Sequence, residues 1–210
     1  METYATDEER LEALQRWWKE NKSSIFGGLL LGLAVIAGWK MWQSNKLETA
    51  EQASLVYHQL TEATQAKQTE AALKLGQRLI QQYPSTTYAE YARLFVAKLK
   101  VEAGDLDGAR KILEEELSHS KDDALKTLTR LRLGRIMLAM GDVESALKLL
   151  GSDTDQNLGK FAGLYAELQG DLLVAAKRPA EARTAFEKAR ELGNLSPLLE
   201  LKINDLPASP

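Results

Sequence analysis

Two stretches, Ala97–Leu117 (AKLKVEAGDLDGARKILEEEL) and Gly134–Leu150 (GRIMLAMGDVESALKLL), align directly with one another. Each reads as helix, then Gly-Asp, then an aliphatic residue, then an alanine five positions after the glycine (Ala109 and Ala146). A third stretch, Gly170–Ala189 (GDLLVAAKRPAEARTAFEKA), repeats the design with Ala182, and a weaker copy, Thr69–Pro84 (TEAALKLGQRLIQQYP), carries Ala72. The four alanines follow at intervals of 37, 37 and 36 residues (72 to 109, 109 to 146, 146 to 182). A constant period of this size marks an array of helical units that bury a shared core. From residue 45 onward the apolar spacing is helical and no alternating strand pattern occurs. The expected fold is all-α, an α-solenoid of helix pairs.

The units resemble the tetratricopeptide repeat, a helix–turn–helix of about 34 residues. The resemblance covers roughly residues 48–190. It implies a small residue where the two helices of a pair cross, here Ala97, Gly134 and Gly170, because the backbones approach closely there. It also implies a large residue four positions after the second-helix alanine, here Leu113, Leu150 and Phe186. These units run longer than the usual repeat, and the aromatic early in the first helix is mostly missing.

In stacked helix pairs the first helices line a concave groove. The repeat alignment puts Tyr91, Leu94, Lys98 and Val101 there in one unit, Leu128, Leu131, Arg135 and Leu138 in the next, and Leu164, Glu167, Asp171 and Val174 in the last. Most are apolar, which suits an extended or helical hydrophobic segment of another protein. Two alternatives stay open: the array coils tightly and these residues pack internally, or the final helix fills the groove. That helix is expected after Ser196-Pro197, over Leu198, Leu199, Leu201 and Ile203, as a cap on the last core face. The end, 206–210, is expected to fray.

The first 42 residues differ in kind from this body, and they hold all four tryptophans. Ser23 to Trp39 (SSIFGGLLLGLAVIAGW) carries no charge. Trp17/Trp18 and Trp39/Trp42 bracket it, and the 22 residues from Trp18 to Trp39 would span roughly 33 Å as helix. That matches a bilayer core with an aromatic belt at each face, and Lys22 and Lys40 can snorkel to the headgroups. The alternatives, a buried core helix or a cleaved signal peptide, fit the paired tryptophans and the long acidic lead-in less well. Arg10, Arg16, Lys19 and Lys22 before the run outnumber Lys40 and Lys46 after it, which places the N-terminus on the cytoplasmic side. Gly28 and Gly32, followed by Ala34 and Gly38, form small-x-x-x-small pairs suited to helix packing in a membrane. Before the run, Thr6-Asp7-Glu8-Glu9-Arg10 followed by Leu11, Leu14 and Trp18 reads as a capped amphipathic helix, either an interfacial lead-in or a docking helix.

The remaining composition excludes more than it suggests. The net charge of −3 offers no basic field for nucleic acid. The absence of cysteine rules out disulfides, thiolate metal sites and a thiol nucleophile, and it suits an exported domain. The two histidines, His58 and His119, fall in separate elements, and no metal, phosphate-loop or nucleophile motif is present. The acidic run Glu114-Glu115-Glu116 reads as a solvated helix face. No cofactor and no catalysis are expected, which leaves protein binding.

The opening METYATDEERLEALQRWWKENKSSIFGG, the glycine-bearing anchor and the atypical repeats together resemble the ancillary SecYEG translocon subunit family of Gram-negative bacteria, over essentially the full length. The resemblance implies a cytoplasmic tail over 1–22, a transmembrane helix over 23–42 and a periplasmic repeat domain over 43–210, in a single-pass protein of the inner membrane. It implies association with the SecYEG translocon and with a membrane-anchored periplasmic chaperone of the prolyl-isomerase class, and help in handing translocated client proteins to periplasmic chaperones. The family's cytosolic tail also implies control of an envelope-stress response regulator. Two other readings remain beside this one: a structural scaffold for envelope or division machinery, and a regulator that acts through residues 1–22 alone.

Overall fold

The computed structural model describes residues 7–151, 158–194 and 196–207. Thr6, expected as a helix cap, and the final residues 208–210 lie outside the described residues. Among those described, every regular element is helical. The chain divides into two compact units, Met1–Glu51 and Gln52–Pro210.

The described part of the first unit belongs to helix α1 (Asp7–Gln65). No proline or left-handed residue interrupts α1, so the expected boundaries at 22/23 and 42/43 are not breaks in the helix. From Ile25 to Trp42 its large apolar side chains are exposed all round, Leu31 at 69% and Trp39 at 65%. A helix apolar on every side needs a protein core or a bilayer around it. This is the one helix among the described residues long and apolar enough to cross a membrane, and none of its apolar window is buried within the protein. It is compatible with a single-pass membrane anchor.

In the second unit the end of α1 packs with α2 (Thr69–Gln82) through Val56, Leu60, Ala72 and Leu79. Helix α3 (Thr87–Glu102) pairs with α4 (Leu106–His119), and α5 (Asp123–Met140) with α6 (Val143–Leu150). A 3-10 turn, Gly159–Phe161, leads into α7 (Ala162–Ala175), which pairs with α8 (Pro179–Glu191). Helix α9 (Pro197–Asp205) lays Leu199 and Ile203 on Ala185, Phe186 and Ala189 of α8.

One turn design joins the helices of all four pairs. Each turns through a single left-handed residue: Lys67 (φ 56°), Gly104 (80°), Gly141 (79°) and Lys177 (61°). The next N–H then donates to a carbonyl five residues back: Gln68 to Ala63, Asp105 to Lys100, Asp142 to Met137 and Arg178 to Leu173, at 2.8–2.9 Å. These bonds satisfy carbonyls that the helix end leaves without partners. The next helix starts at once: Asp105 accepts from the Gly108 N–H at 2.9 Å, and Pro179 occupies the first turn of α8.

The crossing of the pairs follows the expected size pattern. Ala72, Ala109, Ala146 and Ala182 are all fully buried. Gly170 faces the ring of Phe186 so closely that a Cβ there would overlap it. A Cβ on Gly134 would stand 3.0 Å from Leu168 Cδ2 and 3.5 Å from Leu150 Cδ2. The first pair reverses the sizes. Leu60 occupies the position of Ala97, Gly76 occupies that of Leu113, and a Cβ on Gly76 would overlap Val96 of α3. Exchanging large for small keeps the summed volume, and cores tolerate that best.

Candidate partner-binding groove

Helices α3 and α5 are the first helices of neighbouring pairs, and hollows lie between them. One, of about 330 Å3, is lined by Leu94, Ala97, Lys98, Val101 and Glu102 of α3, Leu113 of α4, and Arg132, Arg135 and Ile136 of α5. The second, of about 340 Å3, is lined by Tyr91, Leu94, Phe95 and Lys98 of α3 and Leu128 and Arg132 of α5. Together they make a mainly apolar groove with cations in its walls.

An aromatic ledge borders the second hollow. The ring of Tyr57, from the end of α1, lies 5.4 Å from Tyr88, 6.2 Å from Tyr91 and, edge-on, 6.0 Å from Phe95. These separations suit tilted aromatic pairs. Burial, and then the neighbouring Tyr91 and Tyr88, push the Tyr57 hydroxyl's pKa above its usual value.

Arg132 lies in both hollows, half-buried, and its Nη1 donates to the Leu94 carbonyl at 3.4 Å. Burial, reinforced by the charge of Arg135, lowers its pKa below that of a free guanidinium. Arg135 is exposed, and Lys98 pairs loosely with Glu102 at 3.7 Å.

Six of the expected residues meet around these hollows: Tyr91, Leu94, Lys98, Val101, Leu128 and Arg135. Leu131 is 2% exposed and belongs to the core, and Leu138 and Leu164 are half-buried against that core. The last unit is covered differently. Lys202 of α9 reaches Glu167 at 2.7 Å and Asp171 at 2.8 Å, and Asn194 Nδ2 donates to Glu167 at 2.8 Å. Burial would raise the pKa of Glu167, but the bonds from Lys202 and Asn194 outweigh it and hold the group low. For Asp171 burial wins over Lys202 and the pKa is raised. Burial works against the Lys202 cation, yet its bonds to Asp171 and Glu167 raise its pKa overall. Val174 remains exposed at the end of α7. Gly28 and Gly32 lie in the first unit, with open space where a Cβ would stand.

The repeat alignment missed Arg132, Phe95 and Ile136. Arg132 follows Leu128 by four residues and precedes Arg135 by three, so helical spacing alone puts it on the same face. Among the described residues no group of three or more histidine, aspartate and glutamate side chains is placed to hold a metal ion.

A family model described as a tetratricopeptide repeat-like domain matches residues 15–208. The ancillary SecYEG translocon subunit of Haemophilus influenzae is 31% identical over 203 residues, 95% of this chain and 97% of that one. Its namesake in Escherichia coli is 29% identical over 209 residues, 98% of this chain and 99% of that one. That of Neisseria gonorrhoeae is 27% identical over 98% of this chain and 100% of its own length. Among solved structures, MamA from Desulfovibrio magneticus (residues 41 to the end) superposes with a TM-score of 0.60 at 14% identity, over 74% of this chain and 83% of that one. A tetratricopeptide repeat protein from Parabacteroides merdae superposes with a TM-score of 0.59 at 14% identity, over 72% and 57%. At such identity these two speak for the fold alone.

Proposed function

This chain belongs to the family of ancillary SecYEG translocon subunits, and from that premise we propose that it is a membrane-anchored adaptor that binds proteins beside the SecYEG channel and catalyses nothing. Its apolar run crosses the bacterial inner membrane once, with residues 1–22 in the cytoplasm, the span over 23–42, and the repeat domain in the periplasm. There the groove takes segments of translocating client proteins, or of a membrane-anchored chaperone of the prolyl-isomerase class, and helps pass clients to periplasmic chaperones. The cytoplasmic tail bears on an envelope-stress response regulator.

The observation that carries this reading is the apolar, aromatic-edged groove between α3 and α5. An open apolar hollow of that size on a repeat array serves a partner rather than the fold, because leaving it unfilled forfeits contacts that packing would give. The excess of Lys and Arg before the apolar run supports the orientation.

The chain has no cysteine, so single cysteines report cleanly. Arg10→Cys and Lys98→Cys variants are treated with a membrane-impermeant maleimide in intact cells whose outer membrane is permeabilised. The proposal expects labelling at 98 and none at 10 until the inner membrane is broken, with the full chain co-purifying with the channel in mild detergent. Labelling at 10 alone, or no channel in the purified material, would overturn it. Stable co-purification with division or envelope-scaffold proteins and no channel would favour the scaffold reading.

A further inference from the structure

Several buried or half-buried cations elsewhere in the repeat domain have carboxylate partners, whereas Arg183 donates to the backbone carbonyls of Leu206 and Pro207. Arg93 has Glu116, Arg110 has Glu114 and Asp142, and Lys202 has Glu167 and Asp171. Arg132 is like Arg183 in lacking a carboxylate among the described residues, and it stands beside a like charge as well. Its hydrogen bond is to the neutral carbonyl of Leu94, and among the described residues no carboxylate pairs with it. A second cation, Arg135, acts on it from one turn away. A guanidinium half out of water, unpaired and beside a like charge, is an unfavourable arrangement that an arriving anion relieves.

The surroundings say what the anion is attached to. Arg132 is common to both hollows. Toward the N-terminal ends of α3 and α5 lie Tyr91, Phe95 and Leu128; toward their C-terminal ends lie Val101 and Ile136. A bare anion would satisfy the arginine and leave both hollows empty. A chain terminus would fill only one. A segment that passes through fills both and sets a side-chain carboxylate between them.

Resting on the groove reading above, we infer that the segment this groove takes carries an aspartate or glutamate flanked on each side by a large apolar side chain. The carboxylate sits on Arg132 and Arg135, and the apolar side chains enter the two hollows. Arg132 is then the specificity-determining residue of the groove, and Tyr91, Phe95 and Val101 supply apolar area that would bind many sequences. A charge-assisted bond is roughly twice as strong as a neutral one, so the acid is worth about tenfold in affinity or more.

The test uses the full chain in lipid nanodiscs and three dye-labelled peptides, acetylated and amidated so that no terminal charge contributes. Their cores read FAEAL, FAQAL and FAKAL. Fluorescence anisotropy at about 0.15 M salt, where unpaired surface charges are largely screened, gives the affinities. The glutamate peptide is expected to bind about tenfold tighter than the glutamine peptide, with the lysine peptide weakest. In the Arg132→Gln/Arg135→Gln variant the advantage falls below about threefold while the glutamine peptide binds as before. Arg135 is exposed, so Arg135→Gln alone leaves the fold intact and removes part of the advantage; far-UV circular dichroism checks the double variant. Equal binding of the glutamate and glutamine peptides, or a preference that survives the double variant, overturns this inference and leaves the groove reading standing. Failure of all three peptides to bind overturns the groove reading itself, and this inference with it.

Discussion

Gly170 of α7 lies against the ring of Phe186 on α8 with no room for a methyl group between them. Phe186 is 1% exposed and packs with Ala182, Ala185 and Leu199, so the ring cannot retreat without disturbing the cap helix as well. Gly170→Ala is therefore expected to destabilise the repeat domain by about 1–3 kcal/mol. Gly134→Ala is the contrast. Its Cβ would meet a leucine methyl at 3.0 Å, a milder contact, and alanine gains about 1 kcal/mol of helix propensity over glycine. Its net effect is expected within about 1 kcal/mol of zero. Urea unfolding followed at 222 nm distinguishes the two; equal losses would show that the crossing does not depend on the phenylalanine.

The turns predict a pair of opposite changes. Gly141 and Lys177 hold the same left-handed position in successive pairs, at φ 79° and 61°. That conformation costs a residue with a Cβ about 1 kcal/mol. Gly141→Ala should lower stability by about that amount and Lys177→Gly should raise it by several tenths. A loss from Lys177→Gly would mean that the lysine side chain makes a contact worth more than the backbone strain.

A buried ion pair links α3 to α4, so of the acidic run expected to be solvated only Glu114 and Glu115 are exposed and Glu116 turns inward. Arg93 Nη1 lies 3.0 Å from Glu116 Oε2, and both side chains are almost wholly out of solvent. Glu116 Oε1 has no hydrogen-bond partner. Removing one partner strands a buried charge, so Arg93→Ala is expected to cost about 3–5 kcal/mol, whereas Arg93→Met with Glu116→Leu should be near neutral. Burial outweighs Arg93 and holds the Glu116 pKa above its ordinary value of 4.5. The folded state then binds the proton more tightly than the unfolded chain. Stability from this group is present below 4.5 and falls as pH rises from 4.5 toward the folded value. Glu116→Gln should flatten that part of the stability–pH curve; an unchanged slope would assign it to another group.

At the other end of the array, Lys202 joins α9 to Glu167 and Asp171 of α7. Lys202→Ala leaves two partly buried carboxylates facing each other without a cation. Both pKa values should rise, so the loss of stability, about 1–3 kcal/mol near neutral pH, should shrink as pH falls and the carboxylates take up protons. Hydrogen exchange should show α9 opening first. Equal losses at pH 7 and pH 4 would mean that the lysine contributes packing over Phe186, 5.8 Å away, rather than charge.

The repeats were legible because packing forces small residues to recur at fixed spacing. Ala109, Ala146 and Ala182 are buried where two helices meet, and few other residues fit. The turns at Lys67 and Lys177 were not legible as repeats of Gly104 and Gly141, since what recurs there is a backbone conformation and a hydrogen bond, not a residue type. The Leu60/Gly76 reversal made the first unit, anchored on Ala72, the weakest copy for a related reason: what is kept between the pairs is summed volume. For the groove, the alignment gave the face but not the depth. Leu131 shares the face of Arg135 and is buried, because depth depends on how closely α5 approaches its neighbours. The bridge from Lys202 to Glu167 spans 35 residues of sequence and could not be read from spacing.

Val101 and Val174 provide the most direct test of the groove. They hold equivalent repeat positions at the ends of α3 and α7 and are similarly exposed, 40% and 46%, yet Val101 lines a hollow and Val174 lines neither of those between α3 and α5. A photo-crosslinking residue is placed at one or the other and irradiated in intact membranes during active secretion. The account predicts adducts with translocating chains or a partner chaperone from position 101 and few from 174. Equal yields at both positions, or adducts from 174 alone, would contradict it.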